Sequence, residues 1–168
     1  MGVIRGLLLV VALGVAGVVA YEHGRRISEP GIHAQVAGAL DAMARHDYAA
    51  FCKAMAKDYR LVSIDHVGDV TERSVLDRTE ACRQIEESGA LLQALHTQTG
   101  GLFAPDYAVQ ITGITIAPGG RSAMVESTVT VKIGGVLMAR TRSKERISRW
   151  FWQYRNHGGE ARSWIYAG

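Results

Sequence analysis

The sequence predicts an α+β domain in which helices come first and an antiparallel sheet is laid along one face of them. Three observations carry this. Apolar residues recur at helical spacing in three separate stretches between Ile32 and Leu95. After Gly101 the pattern changes to strict alternation, divided into a meander by turns rich in Gly and Pro. With 168 residues, 48% hydrophobic and 21% charged, the chain holds one domain's worth of core and is not a disordered polymer.

The first segment, Gly6 to Tyr21, is uncharged and apolar, with Arg5 before it and Glu22, Arg25 and Arg26 after it. It predicts a hydrophobic helix over residues 1–24, acting as a signal anchor or as a signal peptide cleaved after Ala20. A full crossing needs about 20 residues and would borrow Val3 and Ile4. Residues 25–31, with Pro30 and Gly31, read as a linker, and residues 32–168 as the folded domain.

Ile32, Val36, Leu40 and Met43 form one stripe of the first domain helix. Asp47 is placed to cap a short second helix, Tyr48 to Lys57, and Tyr59 to Ile64 reads as a strand. His66 to Arg73 is expected to be a polar loop, followed by a brief strand from Ser74 to Leu76. Asp77 and Glu80 have capping-box spacing for a third helix, whose apolar face is Ala81, Ile85, Leu92 and Leu95. In the first meander strand Tyr107, Val109 and Ile111 alternate with polar or small residues. Gly113 falls where a bulge lets Ile114 and Ile116 resume the buried set. Ala123 to Ile133 is the cleanest alternation. Gly134 and Gly135 turn it into a long strand, Val136 to Tyr154, and Asn156 to Gly159 is expected to turn that into the last strand, Ala161 to Tyr166.

Charge is uneven. Residues 1–139 carry 12 basic and 14 acidic side chains, whereas residues 140–168 carry seven and two, so an electrostatic partner should meet the C-terminal end. A net charge of +3 is too small for a dedicated nucleic-acid binder, and no nucleic acid is expected as a partner. The flanking arginines weakly favour a cytoplasmic C-terminus. Cys52 and Cys82 push the other way, because an even cysteine count in an exported chain suggests a disulfide, the alternative being two buried free thiols. The expectation is an inner-membrane-anchored domain in the periplasm or outside the cell, with a cleaved, secreted form and the cytoplasmic face as alternatives.

The string from Val36 to Tyr59, with its small-residue helix, its Asp47-Tyr48-x-x-Phe51 step and its closing Lys57-Asp58-Tyr59, resembles the nuclear transport factor 2-like (SnoaL-like) superfamily. Asp77 to Ile85 resembles the start of that family's third helix, and Asn156 to Gly159 with Trp164 its closing strands. The resemblance covers about residues 30–168. It implies a cone-like half-barrel, in which a strongly curved antiparallel sheet wraps three helices and leaves an open apolar pocket. Members include isomerases, dehydratases, epoxide hydrolases, cyclases and subunits of secretion machines, so the fold does not choose the function.

An isomerase or cyclase of this kind needs a carboxylate base in the cavity and a group that polarises a carbonyl. Asp65, beside His66, is the positional candidate for the base, and Tyr107 for the polariser. The competing reading is that Asp65, His66, Asp69 and Glu72 sit in a solvated loop. Their spacing fits no metal motif, and neither metal nor cofactor is expected. Between Tyr107 and Lys144 the strands carry one acid, Glu126, whose period sets it opposite the apolar residues, which argues against two-acid chemistry. Arg140, Arg142, Lys144 and Arg146 share one face at period two, as an anion site for lipid headgroups or an acidic partner, or as a solvated convex face. Trp150, Trp152 and Tyr154 continue that parity, with a bend expected between the basic and aromatic halves, and beyond it Trp150, Phe151, Trp152, Tyr154 and Trp164 are expected to be core residues rather than a ligand cage.

The expected function is therefore binding, by a membrane-tethered or secreted domain, of an apolar or amphipathic molecule or a partner segment, with no assigned catalysis. The alternatives are a small-molecule isomerase, dehydratase or cyclase using Asp65, and a structural subunit of an envelope assembly, with a homodimer possible.

Overall fold

A computed structural model describes residues 2–101 and 104–166, the side chains of residues 2–12 excepted. The described residues form four helices and one six-stranded sheet. The helices are α1 (Gly2–Arg25), α2 (Glu29–Ala44), α3 (Tyr48–Ala54) and α4 (Arg78–Gln98). The strands are β1 (Met55–Val67), β2 (Val70–Asp77), β3 (Pro105–Ile116), β4 (Ser122–Ile133), β5 (Val136–Trp150) and β6 (Gln153–Ile165). Among the described residues no helix is long and apolar enough to cross a membrane. Of the apolar run from Gly6 to Tyr21, the side chains of Gly6 to Ala12 lie outside the described residues.

Helix starts are written locally. Ser28 accepts the Gly31 N–H at 3.3 Å to cap α2, and Asp47 accepts the Ala50 N–H at 3.3 Å to cap α3. At α4 the capping box is complete: Glu80 N–H donates to Asp77 at 2.9 Å, and Asp77 N–H donates to Glu80 at 3.0 Å.

The strand order is β2-β1-β6-β5-β4-β3, in a curved, unclosed sheet. Every neighbouring pair is antiparallel except β1 and β6, which run parallel, so the sheet is mixed rather than wholly antiparallel. The return of β6 to the middle of the sheet brings the C-terminal segment beside the first strand. Two apolar clusters fill the helix side. Ile27 and Ile32 pack against Ala123, Val125 and Ile147, and Met55 and Tyr59 pack against Ala81 with Ile85 beside them. A disulfide joins Cys52 of α3 to Cys82 of α4, with their Cα atoms 5.4 Å apart.

Three expectations are corrected. The polar stretch from His66 to Arg73 is not a loop but the tip and both arms of the β1–β2 hairpin, turning at Gly68 and Asp69. It reads as a loop because β2 is an edge strand exposed along most of its length, so it shows little apolar alternation. The second helix stops at Ala54, not Lys57, because the buried pair Met55 and Ala56 already belongs to β1. The third correction concerns the last hairpin. β5 ends at Trp150 and turns through Phe151 and Trp152, whose φ values are 42° and 68°. Asn156 to Gly159 is a bulge inside β6, and Tyr154 lies beyond the turn. Its glycines are there for space: a Cβ on Gly158 would run into the Arg60 carbonyl of β1, and one on Gly159 into the Lys144 carbonyl of β5. The bulge expected at Gly113 is present, as a register shift between Ile111 and Gly113.

Candidate functional site

Alternation along β1 sends Tyr59, Leu61, Ser63 and Asp65 to the helix side of the sheet, where all four line one cavity of about 520 Å³. Tyr48 and Phe51 of α3, Leu92 of α4 and Tyr107 of β3 close it. The Ser63 hydroxyl donates to the Asp65 carboxylate, 3.1 Å from either oxygen. Burial, and after it the neighbouring Tyr48, pushes the Tyr107 phenol above its usual range, so it stays an O–H donor at neutral pH. Burial also raises the Tyr59 phenol strongly, with the charge of Glu145 adding to it. A carboxylate and a neutral phenol in one largely apolar cavity are the parts needed to take a proton from carbon while donating to a carbonyl.

Asp65 and Tyr107 thus line the same cavity, but His66 does not. It lies on the opposite face of β1, its ring stacked on Trp164 at 5.5 Å and its Nδ1 2.9 Å from the Thr71 hydroxyl. Adjacent residues on a strand point to opposite faces, so Asp65 and His66 cannot serve one cavity.

A second cavity, of about 390 Å³, lies between α2 and the sheet and shares Phe51 with the first. Glu145 and Asn156 both line it, and the Asn156 amide donates to the Glu145 carboxylate. Glu145 was missed because it sits among the cations of β5. Parity could have found it: Thr141, Ser143, Glu145 and Ile147 form one odd-numbered face, and Ile147 is buried core. Among the described residues no group of three or more His, Cys, Asp or Glu side chains converges to hold a metal.

The even-numbered face of β5 carries the basic row. Arg140, Arg142 and Lys144 line an open groove of about 950 Å³ on the outer face, together with Arg162, Glu126 and Glu160. Much of that charge is already paired. Lys144 meets Glu126 at 2.8 Å, Arg162 meets Glu160 at 2.8 Å, and Arg146 meets Asp58 at 3.1 Å, while Arg142 sits 5.7 Å from the Trp164 ring centre. The hydrogen bond and charge of Glu126 raise the Lys144 amine above its usual range against an opposing desolvation.

Next to this row is a chain of bonds that the one-dimensional pattern does not reveal. The Ser148 hydroxyl lies 2.7 Å from His157 Nε2, and His157 Nδ1 lies 2.6 Å from Asp58. Desolvation would raise the Asp58 carboxyl, but the hydrogen bond and charge of His157, its own backbone N–H and Arg146 together hold it below its usual range. The order of atoms is that of a serine hydrolase triad. None of the three cavities above reaches Ser148, and the chain of bonds instead ties β1, β5 and β6 together at the bulge.

No family model matches the chain, and no curated protein matches it. Solved structures do. One is a nuclear transport factor 2-like protein of unknown function from Pseudomonas putida KT2440, 12% identical, with a TM-score of 0.51 over 80% of this chain and 84% of that one. Another, named as a candidate scytalone dehydratase from Novosphingobium aromaticivorans, is 11% identical, with a TM-score of 0.53 over 83% and 87% of the two chains. At such identities the likeness speaks for the backbone alone. With its helices set against a curved, unclosed sheet, this chain has the nuclear transport factor 2-like fold.

Proposed function

We propose that the chain is a membrane-tethered or secreted domain that binds a small apolar or amphipathic molecule between its helices and its sheet. The observation that carries this reading is the cavity of about 520 Å³, walled by apolar groups such as Phe51, Leu61 and Leu92 and carrying polar ones among them, including Ser63, Asp65, Gln84, Tyr107 and Thr141. Small-molecule sites have this size and this mixture. The uncharged run from Gly6 to Tyr21 supports the tether, and the Cys52–Cys82 disulfide supports an oxidising compartment. Native mass spectrometry of gently purified chain is expected to show a bound small molecule. Ser88→Trp, placed at the exposed rim of the cavity, is expected to remove that mass without unfolding the domain. A chain that is empty in every preparation, or retention that Ser88→Trp leaves unchanged, would count against the reading.

A second reading is favoured by one observation, that Asp65 and Tyr107 line the same cavity. In it Asp65 is the general base of an isomerase, dehydratase or cyclase, and the Tyr107 hydroxyl steadies the developing enolate. Asp65→Asn would then abolish turnover, by about a hundredfold or more, while leaving ligand retention intact. Equal turnover by both proteins would dismiss it.

A further inference from the structure

We propose that the β5–β6 turn is a bilayer-docking element. In this role Trp150, Phe151, Trp152 and Tyr21 sit at the headgroup level of a membrane, and the surrounding arginines meet anionic lipid phosphates. The proposal rests on the membrane-tethered reading above and extends it from the N-terminal segment to the folded domain.

The turn is anomalous on folding grounds alone. Both of its central residues have positive φ, a conformation that Asn-Gly supplies without strain, yet the chain places Phe and Trp there. Neither is recruited to the core. Trp150, Phe151 and Trp152 are 50%, 47% and 60% exposed, a continuous aromatic surface rather than isolated apolar residues. Its location names the occupant, because it packs on the C-terminal end of α1, where the apolar run stops. The rings of Tyr21 and Phe151 are 5.4 Å apart, the Trp152 N–H donates to the Gly24 carbonyl at 3.1 Å, and Gly24 leaves just enough space for the Trp152 ring. Cations rim the patch. Arg25 lies 4.3 Å from the centre of the Trp150 ring, and Arg149 lies 5.3 Å from that of Trp152 and donates to the Arg26 carbonyl, while Arg121 at the same helix end is paired with Glu22 at 3.0 Å. Exposed Trp and Tyr beside Arg, at the end of an apolar helix, match the composition of a membrane–water interface.

The test uses the full chain with vesicles of phosphatidylcholine and phosphatidylglycerol brominated at shallow acyl positions. Flotation reports the tether, and tryptophan quenching reports the turn. The chain has three tryptophans, so Trp164→Phe isolates Trp150 and Trp152, and the Trp150→Phe/Trp152→Phe variant isolates Trp164. Quenching at least about twofold stronger in the first variant than in the second is expected for rings at the interface. Should Trp164→Phe fold poorly, the same reading comes from the quenching that the unaltered chain loses on Trp150→Phe/Trp152→Phe. Flotation with equal quenching overturns docking while leaving the tether intact. A chain that does not float overturns both. Unquenched rings that cross-link between two copies would assign the patch to self-association and overturn the proposal as well.

Discussion

Gly89 sits buried in α4 beneath the ring of Tyr48, and a Cβ added there would overlap that ring. In an exposed helix Gly→Ala gains about 1 kcal/mol, whereas forcing extra volume into a packed site costs about 1–3 kcal/mol. The overlap wins because Tyr48 is a rigid ring held between α3, α4 and the cavity, with its hydroxyl 3.2 Å from His46. Gly89→Ala is therefore expected to lower the unfolding free energy measured by urea titration, by about 1 kcal/mol net of the helix gain. In a Tyr48→Leu background the same change should cost less, since the double variant removes the clash. A Gly89→Ala protein that is more stable than the parent would show that the ring does not lie there.

At the scale of elements, the bulge in β6 is the joint on which three strands depend. Gly158 and Gly159 let the neighbouring strands approach, and Asn156, on the inner face, accepts the Gly158 N–H at 2.7 Å. On the outer face His157 takes Asp58 on one side and Ser148 on the other. The acid dependence of this joint has a definite sign. A carboxylate held below its unfolded value, ordinarily 3.8 for Asp, contributes stability above that pH and loses it as pH falls through the folded value. Asp58→Asn is thus expected to melt earlier than the parent at neutral pH, and the gap between them should close in acid below the ordinary carboxylate range. Thermal melts across pH test it: a gap that is constant with pH would mean that Asp58 acts by shape and not by charge.

For the molecule as a whole, the disulfide and the sheet order decide how the cavity is kept. Cys52 and Cys82 are 30 residues apart in sequence and join the two helices whose faces line the cavity of about 520 Å³. Closing a loop of this length stabilises by about 3–4 kcal/mol in the chain-entropy account, so replacing both cysteines by alanine should cost about that much. Urea unfolding of parent and variant measures it, and matching midpoints would remove the disulfide from the account of stability. The sequence by itself determined what depends on near neighbours. The caps at Asp47 and Asp77 rest on contacts three residues apart, and the bulge at Gly113, the alternation of β3 and β4 and the α+β order are written in the local pattern of apolar residues and glycines. Only the tertiary structure decided which strands pair out of order, that Asn156 to Gly159 bulges instead of turning, and that Glu145 lines an inner cavity while His66 faces away from Asp65. The reason is physical: a Gly-Gly step is equally at home in a turn or a bulge. What selects the bulge here is the backbone of strands far away in sequence, Arg60 on one side and Lys144 on the other.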